Sequence, residues 1–318
     1  LGVVLNGSGP SAAGGPGDPL GVTGYLAAEG RVAELIAELG SAARVCGRLV
    51  LADGPPRSAA WAANVWRDPV RLSIASIADG ARALRRIQRN WALYSFRLHR
   101  RARLVQERLP AVGAKPLRFP APAPAAPLGS WTLLDAGTIL AAARCSSPFP
   151  NGEVRFVEDR QGPPNRAYLK LWEAFTLSGR RPRPGDLCLD LGASPGGWTW
   201  VLAGLGARVI AVDKAPLASA VARLPGVEHR RLSAFALDPR DVGPVDWLFA
   251  DVACYPRRLH RLVAAWAASG LCQNFVCTIK FQGETDLAAQ GAFQAIPGSR
   301  LLHLHHNKHE LTWLKLAE

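Results

Sequence analysis

Apolar and polar positions fall into a legible order over the second half of the chain, most plainly from Asp186 to Asp213. Leu187–Leu191 is a short apolar run of the kind a strand buried on both faces requires. Gly192 to Gly197 follows as a turn in which the backbone can approach another group closely. Trp198 to Leu205 reads as helix, Gly206 stops it, and Arg208 to Val212 is a second strand. Upstream, Pro163-Pro164-Asn165 marks a helix start, and Tyr168, Leu171, Trp172 and Phe175 recur at i, i+3, i+4 and i+7 on one buried face. Downstream, the pattern predicts helices over 217–224, 257–268 and 287–296, and strands over 228–233, 246–252 and 274–281. Two closing strands, 301–306 and 310–316, bring the sheet to seven, the last inserted antiparallel if the usual sheet of this kind applies. The class is α/β, and in such sheets ligands collect at the carboxyl ends of the strands.

The first half is patterned in shorter pieces. Leu1 to Gly21 is rich in Gly, Ser and Pro and is expected to be a flexible N-terminus. An apolar segment over 22–27, a helix over 31–39 and a strand over 45–51 predict a small α/β module. Arg82, Arg85, Arg86, Arg89, Arg97, Arg100, Arg101, Arg103 and Arg108 then crowd a segment holding Trp91, Tyr94 and Phe96. Arginine beside aromatics can grip phosphates and stack on bases, and it can equally be the solvated face of an amphipathic helix. Pro110 to Pro127 reads as a semi-rigid connector, and residues 130–159 as loops and short strands. The division expected is residues 1–21, a basic α/β RNA-binding domain with its linker over 22–128, and a second domain over 129–318.

Charge narrows the partner. The net charge of +13 and pI of about 10.2 favour a polyanion over a small neutral substrate. Residues 1–150 carry 18 basic against 9 acidic side chains, and 151–318 carry 20 against 16, so the excess is concentrated in the first half. A solvated surface of arginine-biased composition is the plainer account of the same numbers. No apolar run reaches the ~18 residues of a membrane span, and residues 1–20 lack the basic start and apolar core of a signal peptide. Six cysteines without C-x-x-C spacing suit reduced thiols, hence a cytoplasmic setting without a zinc site.

The glycine turn, Gly192-Ala-Ser-Pro-Gly196-Gly197-Trp198, lacks the G-x-G-x-x-G spacing that seats a pyrophosphate. A cofactor without phosphates fits better, and S-adenosylmethionine is one: its carboxylate suits the loop amides, and Asp213 can accept from ribose hydroxyls. An ordinary βαβ unit with a glycine-rich turn stays open beside it. At the carboxyl edge of the sheet, Asp251 and Lys280 end two strands, Glu310 returns to that edge if its strand is antiparallel, and Lys170 can reach it from the preceding helix. Two lysines and two carboxylates balance in charge while crowding the amines. A lysine can lose its proton and act as a base, whereas a guanidinium cannot. Only six of the 38 basic residues are lysine, which makes lysine at both 170 and 280 informative.

DLGASPGGWT, FADVACYP, CTIKFQGETD and HNKHELTW together resemble the FtsJ-type RNA ribose 2′-O-methyltransferases. Ser147-Pro148-Phe149, Gly152 and Leu169 to Phe175 stand in the order of the branch acting on a cytidine ribose of bacterial large-subunit rRNA, which carries an amino-terminal RNA-binding region with a THUMP domain. The resemblance covers about residues 146–317. It implies a Rossmann-like methyltransferase domain and a Lys-Asp-Lys-Glu tetrad of Lys170, Asp251, Lys280 and Glu310, with Lys280 as proton acceptor. It also implies S-adenosylmethionine held by Ser194, Pro195, Gly196, Gly197, Trp198, Asp213 and Asp251, with Ser233 near the adenine. Two positions depart from the family pattern: Ser233 replaces an acid, and Ala167 replaces a serine that contacts cofactor. No metal is implied, and His303, His305, His306 and His309 read as ordinary histidines. A base or protein methyltransferase, a nucleotide-dependent oxidoreductase and a non-catalytic RNA-binding module are the rival readings.

Overall fold

The computed structural model describes residues 20–113 and 115–317. The expectation of a flexible N-terminus therefore lies, except for Leu20 and Gly21, outside the described residues. In chain order the first half runs β1 (Val22–Ala27), α1 (Val32–Leu39), β2 (Arg44–Cys46), β3 (Leu49–Asp53), β4 (Ala62–Arg67), β5 (Val70–Ser73), α2 (Ile77–Ile87), β6 (Trp91–Leu93) and α3 (His99–Gln106). It continues through β7 (Gly129–Asp135), β8 (Thr138–Ala142) and β9 (Arg144–Cys145). The second half runs α4 (Tyr168–Ser178), β10 (Leu187–Leu191), α5 (Gly197–Gly204), β11 (Arg208–Val212), α6 (Ser219–Ala222), β12 (Val227–Arg230), α7 (Pro239–Val242) and β13 (Trp247–Ala250). It closes with α8 (Pro256–Ser269), β14 (Asn274–Lys280), α9 (Leu287–Gln294), β15 (Ser299–Leu302) and β16 (Glu310–Lys315).

Three sheets result. The largest orders its strands β12-β11-β10-β13-β14-β16-β15. β10 to β14 pair in parallel, and β16 enters antiparallel between β14 and β15. Order reverses on either side of β10, which opens the crevice where α/β sheets bind ligands. Helix α4 buries nearly every side chain, including Glu173, because it is covered on one side by the sheet and on the other by Phe119 and Phe156.

The expected boundary at residue 128 falls inside a sheet. β7 and β8 do not join the second half; they pair with β6 and β5 in the order β5-β8-β7-β6. β9 closes a further sheet, β2-β3-β1-β4-β9. Nor does the proline-rich stretch hang free between two bodies. Leu117 exchanges backbone hydrogen bonds with Arg155 and Val157, and Phe119 stacks on Trp172 with centroids 4.9 Å apart. Proline composition reports extended backbone without ladder donors, and it carries no information about which sheet the chain rejoins.

The first half shares a core with the large sheet. Tyr25, Leu35, Val50 and Trp61 pack in one buried cluster with Ile279, Phe281, Leu311 and Trp313, directly behind the strand ends that carry Lys280 and Glu310. Glu38 ties the contact: its carboxylate accepts from Ala60 N, Trp61 N, Gln290 Nε2 and Gln294 Nε2 at 2.7–3.1 Å. Burial pushes its pKa up against those bonds.

The arginine and aromatic segment separates by chemistry. Trp91 is fully buried and Tyr94 nearly so, their polar atoms taken by Leu84 O and Arg48 N, so neither offers a face to a base. Arg82, Arg85, Arg86, Arg89, Arg97, Arg100, Arg103 and Arg108 are exposed.

Candidate functional site

The four predicted polar residues converge at the carboxyl edge of the large sheet. Register places Lys280 directly opposite Glu310, so both side chains leave the same face at the ends of β14 and β16. Asp251 follows β13, the neighbour of β14 on the other side, and Lys170 projects from the first turn of α4. Lys170 Nζ lies 2.7 Å from Glu310 Oε1 and 3.5 Å from Asp251 Oδ2. Lys280 Nζ lies 2.9 Å from Asp251 Oδ1, an ion-pair contact without hydrogen-bond alignment, and donates to the Asp251 carbonyl at 2.6 Å.

The two amines are not equivalent. Burial works against charge on Lys170, but Asp251 and Glu310 outweigh it and raise its pKa above 10.5. Lys170 is therefore a fixed ammonium that neutralises two carboxylates. Lys280 is the more exposed of the pair, at 27% against 14%.

The glycine turn lies beside this cluster. Ser194 N donates to Asp213 Oδ2 at 3.1 Å and Ala215 N to Asp213 Oδ1 at 2.9 Å. A carboxylate has about four acceptor positions, so Asp213 keeps capacity for two hydroxyls while the turn holds it in place. Ser194 Oγ donates to Pro216 O. Gly192 and Gly196 have φ of +77° and +114°, and a Cβ at Gly196 would meet Val221 Cγ1 at 2.8 Å. These residues fit an adenosine cofactor with a carboxylate end: fixed backbone amides at a helix start, with an acid at the end of the next strand.

Two predicted cofactor contacts have partners within the protein. Trp198 is buried, its indole N–H donating to Ala167 O at 2.9 Å and its ring edge-on to Phe249. It locks α5 to the start of α4 rather than presenting a face to the crevice. Ser233 caps a short turn, accepting from Phe235 N at 3.3 Å. Among the four histidines, His303, His305 and His306 lie in the turn between β15 and β16 rather than in the predicted strand. Buried Glu173 holds that turn, accepting from His305 N, His306 N and His306 Nδ1 at 2.6–3.1 Å. Among the described residues, no group of three or more His, Cys, Asp or Glu is placed to hold a metal ion. Nor is any described helix long and apolar enough to cross a membrane.

Sequence reasoning passed over Asp190, the one acid inside the apolar run of β10. It is 1% exposed and accepts from Thr199 Oγ1 at 2.6 Å. Burial pushes its pKa up to about 7; the Thr199 bond opposes this, while Asp251 and Asp213 add to it. Because the folded value exceeds the ordinary 3.8, the folded chain holds a proton that the unfolded chain releases between pH ~4 and ~7. Stability from this group is therefore full below pH ~4 and lost as pH rises through about 7. Asp190→Asn is expected to flatten that slope. Thermal midpoints taken from pH 5 to pH 8 should show the wild type losing ground to the variant as pH rises; parallel curves would contradict the assignment.

Geometry thus defines a doubly wound α/β fold, with a lysine-carboxylate cluster beside the glycine turn. Residues 163–283 match the family model described as FtsJ-like methyltransferase. The chain is 38% identical over 172 residues to the ribosomal RNA large subunit methyltransferase M of Halorhodospira halophila, covering 52% of this chain and 50% of that protein. It is also 38% identical over 185 residues to the protein of the same name from Methylococcus capsulatus, covering 52% and 51%. The chain spans about half the length of the curated relatives it matches.

Proposed function

We propose that this chain transfers a methyl group from S-adenosylmethionine to a ribose 2′-hydroxyl of RNA, the RNA being bacterial large-subunit rRNA and the nucleoside a cytidine. The observation that carries the reading is the Lys170, Asp251, Lys280, Glu310 cluster beside the glycine turn. The relatives' names support an rRNA substrate, and the exposed arginines of α2 and α3 support a grip on phosphates by the first half of the chain. The setting proposed is the cytoplasm.

S-adenosylmethionine supplies a methyl already activated by its sulfonium. Ser194, Pro195, Gly196 and Gly197 would hold the methionine end and Asp213 the ribose. Lys280, as the neutral amine, would accept the 2′-hydroxyl proton, which makes the oxygen a better nucleophile. Asp251 fixes the Lys280 amine through its carbonyl and carboxylate, and Lys170 compensates the two acids. Holding the reacting groups in line at contact distance supplies most of the remaining rate.

Gly196→Ala is expected to weaken S-adenosylmethionine binding about tenfold or more. A side chain there meets Val221 in a backbone conformation that L residues resist. Calorimetric titration checks it, and the same titration should show no comparable binding of NAD. The function itself is tested with methyl-labelled S-adenosylmethionine and undermethylated large-subunit rRNA. Label recovered in a ribose-methylated nucleoside is the expected result; an unlabelled RNA, or label on a base, would reject it.

A further inference from the structure

The turn leaving β13 begins at Asp251, whose carbonyl holds Lys280, and four residues later carries Tyr255. Cys254 and Pro256 on either side are buried, yet Tyr255 is 66% exposed, more than any other large apolar side chain among the described residues. Single exposed apolar residues are ordinary. What distinguishes Tyr255 is its place and its anchored backbone. Its carbonyl accepts from Arg258 N at 2.9 Å and Leu259 N at 3.3 Å, which makes it the residue opening the 14-residue helix α8. That helix exposes Arg257, Arg258 and Arg261 beside it. The Arg258 guanidinium lies 3.9 Å from the centre of the Phe235 ring, and Arg257 reaches Asp286, which caps α9 in the loop after Lys280, at 3.4 Å. Those contacts tie the rim to its neighbours, and the backbone of Tyr255 is fixed four residues beyond Asp251.

Sequence-selective contact with RNA is made mostly to unpaired nucleotides, whose bases can be splayed out of the stack. Aromatic faces replace that stacking, and arginines beside them hold the flanking phosphates. The rings of Trp91 and Tyr94, set among the arginines of the first half, are buried and cannot do this. We infer that Tyr255 is the stacking platform for an unpaired base next to the target ribose, with Arg257, Arg258 and Arg261 on the adjoining phosphates. The substrate segment is therefore a loop or single strand rather than an intact duplex. This inference rests on the methyl-transfer reading above.

The test uses the full chain, Tyr255→Ala and Tyr255→Phe, with an RNA oligonucleotide spanning the mapped methylation site and the same oligonucleotide made abasic at the adjoining position. Tyr255→Ala is expected to weaken RNA binding and raise KM for RNA about 5- to 150-fold. Turnover at saturating RNA and affinity for S-adenosylmethionine should stay within about twofold, and Tyr255→Phe should match the wild type. The abasic RNA should lose affinity for the wild type and none for Tyr255→Ala. Equal RNA affinity and KM in Tyr255→Ala and wild type would overturn the platform while leaving methyl transfer standing. Should the wild type transfer no methyl to large-subunit rRNA, the functional reading fails instead, and binding of that rRNA by wild type and Tyr255→Ala decides the platform: unchanged affinity overturns it.

Discussion

Lys280→Ala is expected to lower turnover about 10²- to 10⁴-fold while leaving S-adenosylmethionine affinity nearly intact, the loss typical of removing a positioned proton acceptor. The residue does not touch the turn that holds Asp213, so binding and chemistry should separate. Lys280→Arg is expected to be equally inactive, because a guanidinium keeps its proton although it preserves the charge. Single-turnover methylation with calorimetric cofactor titration reads both quantities. Activity in Lys280→Arg comparable to wild type would show that charge at this position matters and proton transfer does not.

Lys170→Met should act differently, on the fold as well as on the reaction. It removes the cation 2.7 Å from Glu310 and 3.5 Å from Asp251, and leaves the buried Glu310 carboxylate unpaired while Asp251 keeps Lys280 at 2.9 Å. Breaking such a pair from one side costs about 3–5 kcal/mol. Denaturant titration should show that loss, together with a collapse of activity. Lys170→Arg, by contrast, keeps a permanent cation where the raised pKa of Lys170 already demands one. It should retain most of the stability and measurable turnover. The pair of arginine substitutions, tolerated at 170 and not at 280, is what two lysines of unlike duty predict; equal tolerance at both would remove the distinction.

The elements around the glycine turn were legible because their signals are local. An apolar run, a glycine turn and a helix stop mark β10 and α5, and strand-end positions placed Asp251 and Lys280. Glu310 was legible through topology: an antiparallel last strand returns its first residue to the edge where β14 ends. What stayed hidden depends on contacts distant in sequence. Glu173 reads as an off-stripe helix acid until the turn carrying His305 and His306 wraps onto it. Asp190 reads as part of an apolar run, although an acid in a buried strand was itself a signal. The pairing of β7 and β8 with β6 and β5 left no mark in the proline-rich stretch before them. Trp91 and Trp198 look in sequence like candidate ligand contacts and prove to be core, since an aromatic ring suits either place and only packing decides.

The most direct measurement replaces one atom of the substrate. Once the methylated nucleotide is mapped, the RNA is made with a 2′-deoxyribose at that single position and offered to the wild-type chain with labelled S-adenosylmethionine. If Lys280 draws its proton from that hydroxyl, label transfer disappears while RNA and cofactor still bind. Undiminished transfer to the deoxy RNA would mean that the methyl goes to another atom, and that the lysine at the end of β14 is not the base proposed.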